Sequence, residues 1–312
     1  MRPPWRGARA AAAVAAAALA VLTVACQTEK TPTTPTTAAP TTSSATAVPH
    51  PLAPYSGFIA FGDAGEVALP YQQQVADQML AWVSTGHRVD ALVEAGDDVY
   101  PSGAPAKFPA ALDTPYAGLR SPTRPLWVAL GNHDILGGNA GADQLAYLGL
   151  PALPYAKTLP GVQLLFLDAN HPDGAQRDWL DARLSEAGPK LRVVVFHQPA
   201  YSCGTTHGST QAVKDNWVPT LEAHHVALVL NGHEHLYERF TSAGGVTYVV
   251  TGGGGATIYP IGSCGADVPS ASVPHREARH HFVGIEITGS TLTLTAVART
   301  GEVIDTATIT RP

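Results

Sequence analysis

Apolar runs that stop abruptly at a polar residue beside glycine recur along this chain. Gly57-Phe58-Ile59-Ala60 leads into Phe61-Gly62-Asp63-Ala64-Gly65, and the run from Val89 to Ala95 stops at Gly96-Asp97-Asp98-Val99-Tyr100. Leu126 to Leu130 ends in Gly131-Asn132-His133-Asp134, Leu191 to Phe196 in His197, and Val226 to Leu230 in Asn231-Gly232-His233-Glu234-His235. Val162 to Leu167 and Val246 to Val250 are two further runs, the second opening into Thr251 and the glycines 252–255. Short runs rich in Val and Leu, closed by glycine, predict buried strands. Between them, Val75, Met79, Leu80 and Trp82 have helical spacing within Tyr71–Trp82, as do Trp179, Leu180 and Leu184 within Gln176–Leu184. Residues 100–125, rich in Pro, Gly and small side chains, predict a long loop at the active site. From His281 to Ile309 apolar and polar residues alternate around Gly289-Ser290 and Thr300-Gly301, the pattern of antiparallel strands. Strands alternating with helices and ending in a strand-rich tail predict a mixed α/β sandwich.

Composition sharpens this picture in three ways. About 260 residues follow the N-terminal segment, enough for one large domain with a full core. The formal net charge is -6 and no Lys/Arg cluster occurs, so nothing is suited to tracking a nucleic acid backbone. The cysteines are Cys26, Cys203 and Cys264. Cys26 closes the leader, and an exported protein that keeps two further thiols usually pairs them, which predicts a Cys203–Cys264 disulfide.

The leader itself has Arg2, Arg6 and Arg9 before an apolar run from Ala10 to Ala25, too short for a comfortable membrane span. Leu22-Thr23-Val24-Ala25-Cys26 resembles a bacterial lipoprotein processing site, which makes residues 1–26 a signal peptide and Cys26 the lipidated first residue. The alternative is a secretory signal cut after a small residue. Residues 27–54, almost all Thr, Pro, Ala and Ser, predict a disordered tether to a domain over 55–312. The expected location is extracytoplasmic, as a cell-surface lipoprotein or a secreted protein. No twin-arginine pair occurs, so the chain should be exported unfolded and take up metal outside.

The polar residues at the strand ends suggest the chemistry. Open α/β sheets place ligands at the carboxyl ends of their strands. Asp63, Asp97, Asn132, His197 and the His233/His235 pair each follow a separate apolar run, and all are metal-ligand types. Two histidines two residues apart in extended chain point the same way and reach adjacent metals.

Taken in order, Gly62-Asp63-Ala64-Gly65, Gly96-Asp97-Asp98-Val99-Tyr100, Gly131-Asn132-His133-Asp134, Val194-Val195-Phe196-His197 and Gly232-His233-Glu234-His235 resemble the five motifs of the purple acid phosphatases, a branch of the calcineurin-like metallophosphoesterases. Other members of that superfamily carry a His two residues after the first Asp. Here Gly65 occupies that place and Tyr100 appears instead, a change that suits ferric iron. The resemblance implies a four-layer α/β/β/α sandwich of two mixed sheets flanked by helices, with a dimetal site at the strand ends. It implies Fe(III) on Asp63, Tyr100 and His235, a divalent ion (Zn, Mn or Fe) on Asn132, His197 and His233, and Asp97 between them. A metal-bound hydroxide, persisting at low pH, would then attack the phosphorus of a small phosphate monoester, giving activity in acid. His133 and His207 match the family's substrate-pocket histidines, with Asp134 as an orienting partner of His133. Which histidine acts as general acid stays open. A phosphodiesterase or nucleotide hydrolase using the same metals is the alternative activity, and a non-catalytic metal-binding surface lipoprotein is the competing class.

Other conspicuous residues receive plainer readings. Asp98 and Glu234 are expected to sit behind the ligands or in solvent. Glycines 252–255 should allow close backbone packing beside the site, since no Lys or helix pattern follows them. His224, His225, His275, His280 and His281 are expected at the surface, and Asp168 has no assigned role.

Overall fold

The computed structural model of this protein describes residues 55–137, 139–269 and 275–311. The expected signal peptide, the tether and Cys26 lie outside the described residues. Thirteen strands and four α-helices follow one another as β1 (Ser56–Phe61), α1 (Tyr71–Ser84), β2 (Ala91–Glu94), β3 (Leu126–Val128), α2 (Ala142–Tyr147), β4 (Tyr155–Leu159), β5 (Val162–Phe166), α3 (Gly174–Ser185), β6 (Leu191–Val195), α4 (Gln211–Ala223), β7 (Leu228–Asn231), β8 (Tyr237–Thr241), β9 (Thr247–Thr251), β10 (His275–Glu277), β11 (His281–Thr288), β12 (Thr291–Ala298) and β13 (Val303–Thr310).

They form two mixed sheets. The first has the order β13-β12-β11-β1-β2-β3, and the second β10-β8-β9-β7-β6-β5-β4. In the first, β1, β2 and β3 are parallel; in the second, β5, β6, β7 and β9 are. The tail that alternates in sequence is the antiparallel β11-β12-β13 meander.

The parallel strands of both sheets are buried on both faces, which explains why they read as continuous apolar runs, whereas β12 and β13 keep an exposed face and alternate. Between the sheets, Phe58, Val93, Ile285 and Leu294 of one face Leu164, Val193, Leu230 and Val249 of the other. Outside the first sheet, Ile59, Phe61 and Leu92 pack against Val75, Ala76 and Met79 of α1. Outside the second, Leu165, Val194 and Val229 pack against Leu180 of α3 and Val213, Trp217 and Leu221 of α4. The layers are therefore α/β/β/α, and the parallel strands of both sheets deliver their carboxyl ends to one edge.

Two expectations change. The stretch over 100–125 is not an open loop along its length. It turns through Pro105–Lys107 and Pro109–Asp113 and buries Phe108, Ala111, Leu112, Tyr116 and Leu119 beneath α1. Its prolines and glycines mask apolar residues that serve as core. Helix α4 is capped at its C-terminus by His224, near the helix end expected there, but its extent was not expected: Val213, Trp217 and Leu221 recur every four residues, while Pro219 and the polar run Lys214-Asp215-Asn216 obscure the stripe.

Cys203 and Cys264 are joined by a disulfide, and no helix among the described residues is long and apolar enough to cross a membrane.

Candidate metal centre

The first sheet supplies oxygen donors. Asp63 follows β1 and Asp97 follows β2; both are buried and both have left-handed backbones, with φ of 58° and 57°. That region costs a non-glycine residue roughly 1–3 kcal/mol, so such residues cluster where function demands them. The turn before Asp97 is possible because Gly96, at φ 91°, has no Cβ to strike the Gly131 backbone and the His197 ring. Asp97 Oδ1 accepts the His133 N–H at 2.8 Å. This leaves Oδ2 free to face Tyr100 Oη at 3.0 Å and His197 Nε2 at 3.4 Å. Tyr100 Oη also lies 3.3 Å from Asp63 Oδ1 and 3.1 Å from His235 Nε2. A side chain at position 65 would collide with the Asp98 backbone, so no imidazole fits there.

The second sheet supplies nitrogens. His197, two residues past β6, lies with Nδ1 2.9 Å from the Ala95 carbonyl. His235 Nδ1 is 2.7 Å from the Thr257 carbonyl. Each carbonyl demands a proton on Nδ1, which fixes the tautomer and leaves the Nε2 lone pair facing the carboxylates. His197 Nε2 lies 3.2 Å from Asn132 Oδ1 and 3.2 Å from His233 Nδ1. The segment carrying His233 and His235 is not extended as the two-residue spacing suggested. It bends between β7 and β8, with Glu234 N–H bonding Gly232 O, Leu236 N–H bonding Glu234 O, and His233 at φ 72°. The bend aims the His233 N–H at Asp63 Oδ2, 2.9 Å away, so the two sheets meet through a ligand-type pair.

Two donor groups result. Asp63, Tyr100 and His235 converge on one side, Asn132, His197 and His233 on the other, and Asp97 Oδ2 touches both. Asp63, Asp97 and His197 alone place their ligand atoms within 4.8 Å of one another. Burial alone would raise the Asp97 carboxyl, but the His197 and His133 imidazoles hold it below the usual carboxylate range. Burial opposes charge on His197, yet the Asp97 and Asp63 carboxylates raise it to about 9, so a bound metal ion would take the place of the Nε2 proton. Burial and those same carboxylates push the Tyr100 phenol well upward, so its proton leaves only where a strong cation offsets them. The ion pairs of Asp63 and Asp97 involve only histidines among the described residues. Oriented imidazole lone pairs, buried carboxylates without Lys or Arg, and a phenol wedged between them fit two metal ions.

His133 sits at the rim, its ring 4.5 Å from that of Tyr100 and Nδ1 2.7 Å from the Pro101 carbonyl. Nε2 is 3.9 Å from Asp97 Oδ2. His207 stacks on His233 with ring centres 4.0 Å apart. Asp134 does not orient His133. Its buried carboxylate accepts backbone N–H groups of Asp97, Asp98, Val99 and Gly131 at 2.8–3.2 Å, so it shapes the ligand loops. Burial and the Asp97 carboxylate raise Asp134 to about 7 despite the amides.

Several further residues shape the centre, and the sequence reading did not single out Tyr259 or Asn170. Tyr259 lies parallel on His235, ring centres 3.9 Å apart, and burial with the Asp63 carboxylate pushes its phenol up to about 12. Asn170 donates to the carbonyls of Leu130 and Gly131 just before Asn132 and accepts from Gln198, with Asp168 holding it. Glu234, between the two histidines, is buried and accepts the N–H groups of His207 and Gly208. Gly252 and Gly254 allow Glu234, Asp63 and Gly62 to approach closely. His281 is not a surface residue. It is fully buried behind the glycine run, where Thr251 Oγ1 lies 3.1 Å from Nε2, and burial lowers it to about 4.

Known proteins resemble this chain in sequence and in fold. The family model for the calcineurin-like phosphoesterases matches residues 58–237. Purple acid phosphatase 4 of Arabidopsis thaliana is 27% identical over 239 residues, covering 64% of this chain and 68% of its own. Among solved structures, the purple acid phosphatase PPD1 of yellow lupin superposes with a TM-score of 0.69 at 17% identity, over 84% of this chain and 55% of that one. GAP50, the anchor in the inner membrane complex of Plasmodium, gives 0.67 at 20% identity, over 82% and 89%. These likenesses in structure concern the fold. With the sequence match and the donor set together, the chain belongs to the calcineurin-like phosphoesterase family, as a purple-acid-phosphatase-like, metal-dependent phosphoester hydrolase.

Proposed function

We propose that this protein hydrolyses small phosphate monoesters in acid, with Fe(III) held by Asp63, Tyr100 and His235, a divalent Zn, Mn or Fe ion held by Asn132, His197 and His233, and Asp97 shared between them. The observation that carries the ferric reading is the Tyr100 phenol, within 3.3 Å of Asp63, Asp97 and His235. A hard anion set of two carboxylates and a phenolate suits a trivalent ion, whereas an amide oxygen and two imidazoles suit a divalent one. When bound, such a pair of ions acidifies water and neutralises charge on a phosphoryl group.

The chain's own residues complete the chemistry. His133 donates Nδ1–H to Pro101 O, so in its imidazolium form Nε2–H faces the cleft and can protonate a leaving alkoxide. His207 is assigned to the phosphoryl oxygens, and its stacking on His233 supports that role. Asp134 holds the amides of the Asp97 loop, keeping the shared carboxylate in position. The Cys203–Cys264 disulfide supports an extracytoplasmic setting, as an exported lipoprotein or a secreted protein.

The test compares p-nitrophenyl phosphate with its bis ester across pH, on metal-loaded protein. Preference for the monoester with activity persisting below pH 6 is expected; preference for the diester would assign a phosphodiesterase instead. His133→Ala should slow poor leaving groups most. An equal loss across leaving groups would remove its general-acid role.

A further inference from the structure

Outside the ligands, the most elaborately braced part of the site is the wall formed by residues 203–208 and 257–264. The disulfide joins its outer ends, and a β-bridge pairs Gly204 with Ile261. Gly262 N–H bonds Cys203 O at 2.8 Å, and the Thr205 hydroxyl donates to Pro260 O at 3.2 Å. Beneath, Glu234 holds the amides of His207 and Gly208. This bracing fixes two aromatic groups over two ligands. His207 covers His233, Tyr259 covers His235, and their own rings meet edge to face at 5.7 Å. The Tyr259 N–H bonds the His235 carbonyl at 3.0 Å, so the ring cannot drift from the imidazole beneath it.

The Tyr259 hydroxyl is unexplained by packing. The ring is half-buried against His235, while the hydroxyl has no hydrogen-bond partner among the described residues. Stacking alone would be served equally by Phe. A neutral O–H beside a site that binds a phosphoryl group offers a charge-assisted hydrogen bond without adding a cation.

We propose that the Tyr259 hydroxyl is a phosphate-positioning group, donating to a non-bridging phosphoryl oxygen, and that the disulfide-clamped wall holds it in register with His207. The proposal rests on the phosphate-ester reading above. It assigns the second-sheet wall to orienting the phosphoryl group and leaves His133, over Tyr100, to the leaving group.

Tyr259→Phe keeps the ring and removes only the hydroxyl. On full, metal-loaded protein, titration calorimetry with inorganic phosphate should show binding weakened about ten-fold, the size expected of a hydrogen bond to a charged group. KM for p-nitrophenyl phosphate should rise with it, while metal content, visible spectrum and melting temperature stay put. Unchanged phosphate affinity would overturn the positioning role. The double variant Cys203→Ser/Cys264→Ser, folded and metal-loaded, should weaken phosphate at least as much; full affinity there would overturn the clamp. If that variant does not fold, Tyr259→Phe still decides. A wild-type protein that binds phosphate through Tyr259 but turns over no monoester would sink the monoester reading and leave the positioning role standing.

Discussion

The two sheets meet at one edge but bring different chemistry to it. The first sheet contributes oxygens: Asp63, Asp97, Tyr100 and Asn132. The second contributes imidazoles: His197, His233 and His235. Each half is also stapled by buried carboxylates that bond backbone amides. On the first-sheet side Asp134 holds the amides of the Asp97 loop and Gly131. On the second-sheet side Glu234 holds His207 and Gly208, and Glu238 holds the Cys203 amide and Ser202 hydroxyl. The difference is what the staple positions. Asp134 fixes a ligand that touches both donor groups, whereas Glu234 and Glu238 fix a wall above them. Damage to the first should therefore disturb metal retention, and damage to the second should disturb substrate contact.

The largest effects should come from the ligands that pair the two sheets. On the proposed assignment, Asn132→Ala and His197→Ala each remove a donor to the divalent ion while the layers around them stay packed. Loss of that ion and a fall in kcat/KM on the order of 10³-fold are expected, read by metal analysis and steady-state kinetics. Two metals retained in either variant would show that the halves are divided wrongly.

Asp134→Ala should follow. It orphans four buried amide groups at once, and a loss of about 3 kcal/mol or more is expected. Denaturant unfolding would measure it, and metal affinity should drop in parallel. A variant of wild-type stability would mean the amides find other partners. Tyr100→Phe should do less to turnover, because on the proposed assignment the phenolate is chiefly a charge donor. It should bleach any visible colour of the iron protein while turnover stays within about ten-fold of wild type. An unchanged spectrum would remove Tyr100 from the metal.

How much of this was legible in the sequence follows from the same contrast. Most of the candidate ligand positions were readable because they stand where an apolar strand stops, as Asp63 does after Phe58–Phe61 and His197 after Val193–Phe196; Tyr100, further along the loop after β2, does not. Period and polarity suffice for that. The staples were not readable, because their partners are backbone amides, which no letter records. Asp134 looked like a partner for the adjacent His133, yet its carboxylate turns to the amides of residues 97–99, far away in sequence. Tyr259 followed a glycine run with no distinguishing pattern, and its place over His235 depends on a disulfide-braced loop. His281 opened an alternating strand and looked exposed. It is buried because Gly253, having no Cβ, lets the His281 ring pack against the glycine run, where the His281 N–H bonds Gly253 O.

The smallest effect sharpens the comparison through pH. Glu238 is mostly buried, and burial raises its carboxyl to about 7, despite bonds from Ser202 and Cys203, from an ordinary value of 4.5. A carboxyl whose folded pKa exceeds its unfolded one holds its proton more tightly in the native state. Its contribution is therefore intact in acid, falls as pH rises above about 4.5 and levels off beyond about 7, a total of up to about 3 kcal/mol. Glu94 and Asp98, fully buried behind the first-sheet ligands and likewise raised, act in the same direction. Glu238→Gln keeps an acceptor for the wall and cannot ionise. Urea unfolding of wild type and variant at pH 5 and pH 8 should show the variant gaining on the wild type at the higher pH. A difference independent of pH would mean that Glu238 ionises freely in the folded wall, and the acid preference of the fold would then rest on the first sheet alone.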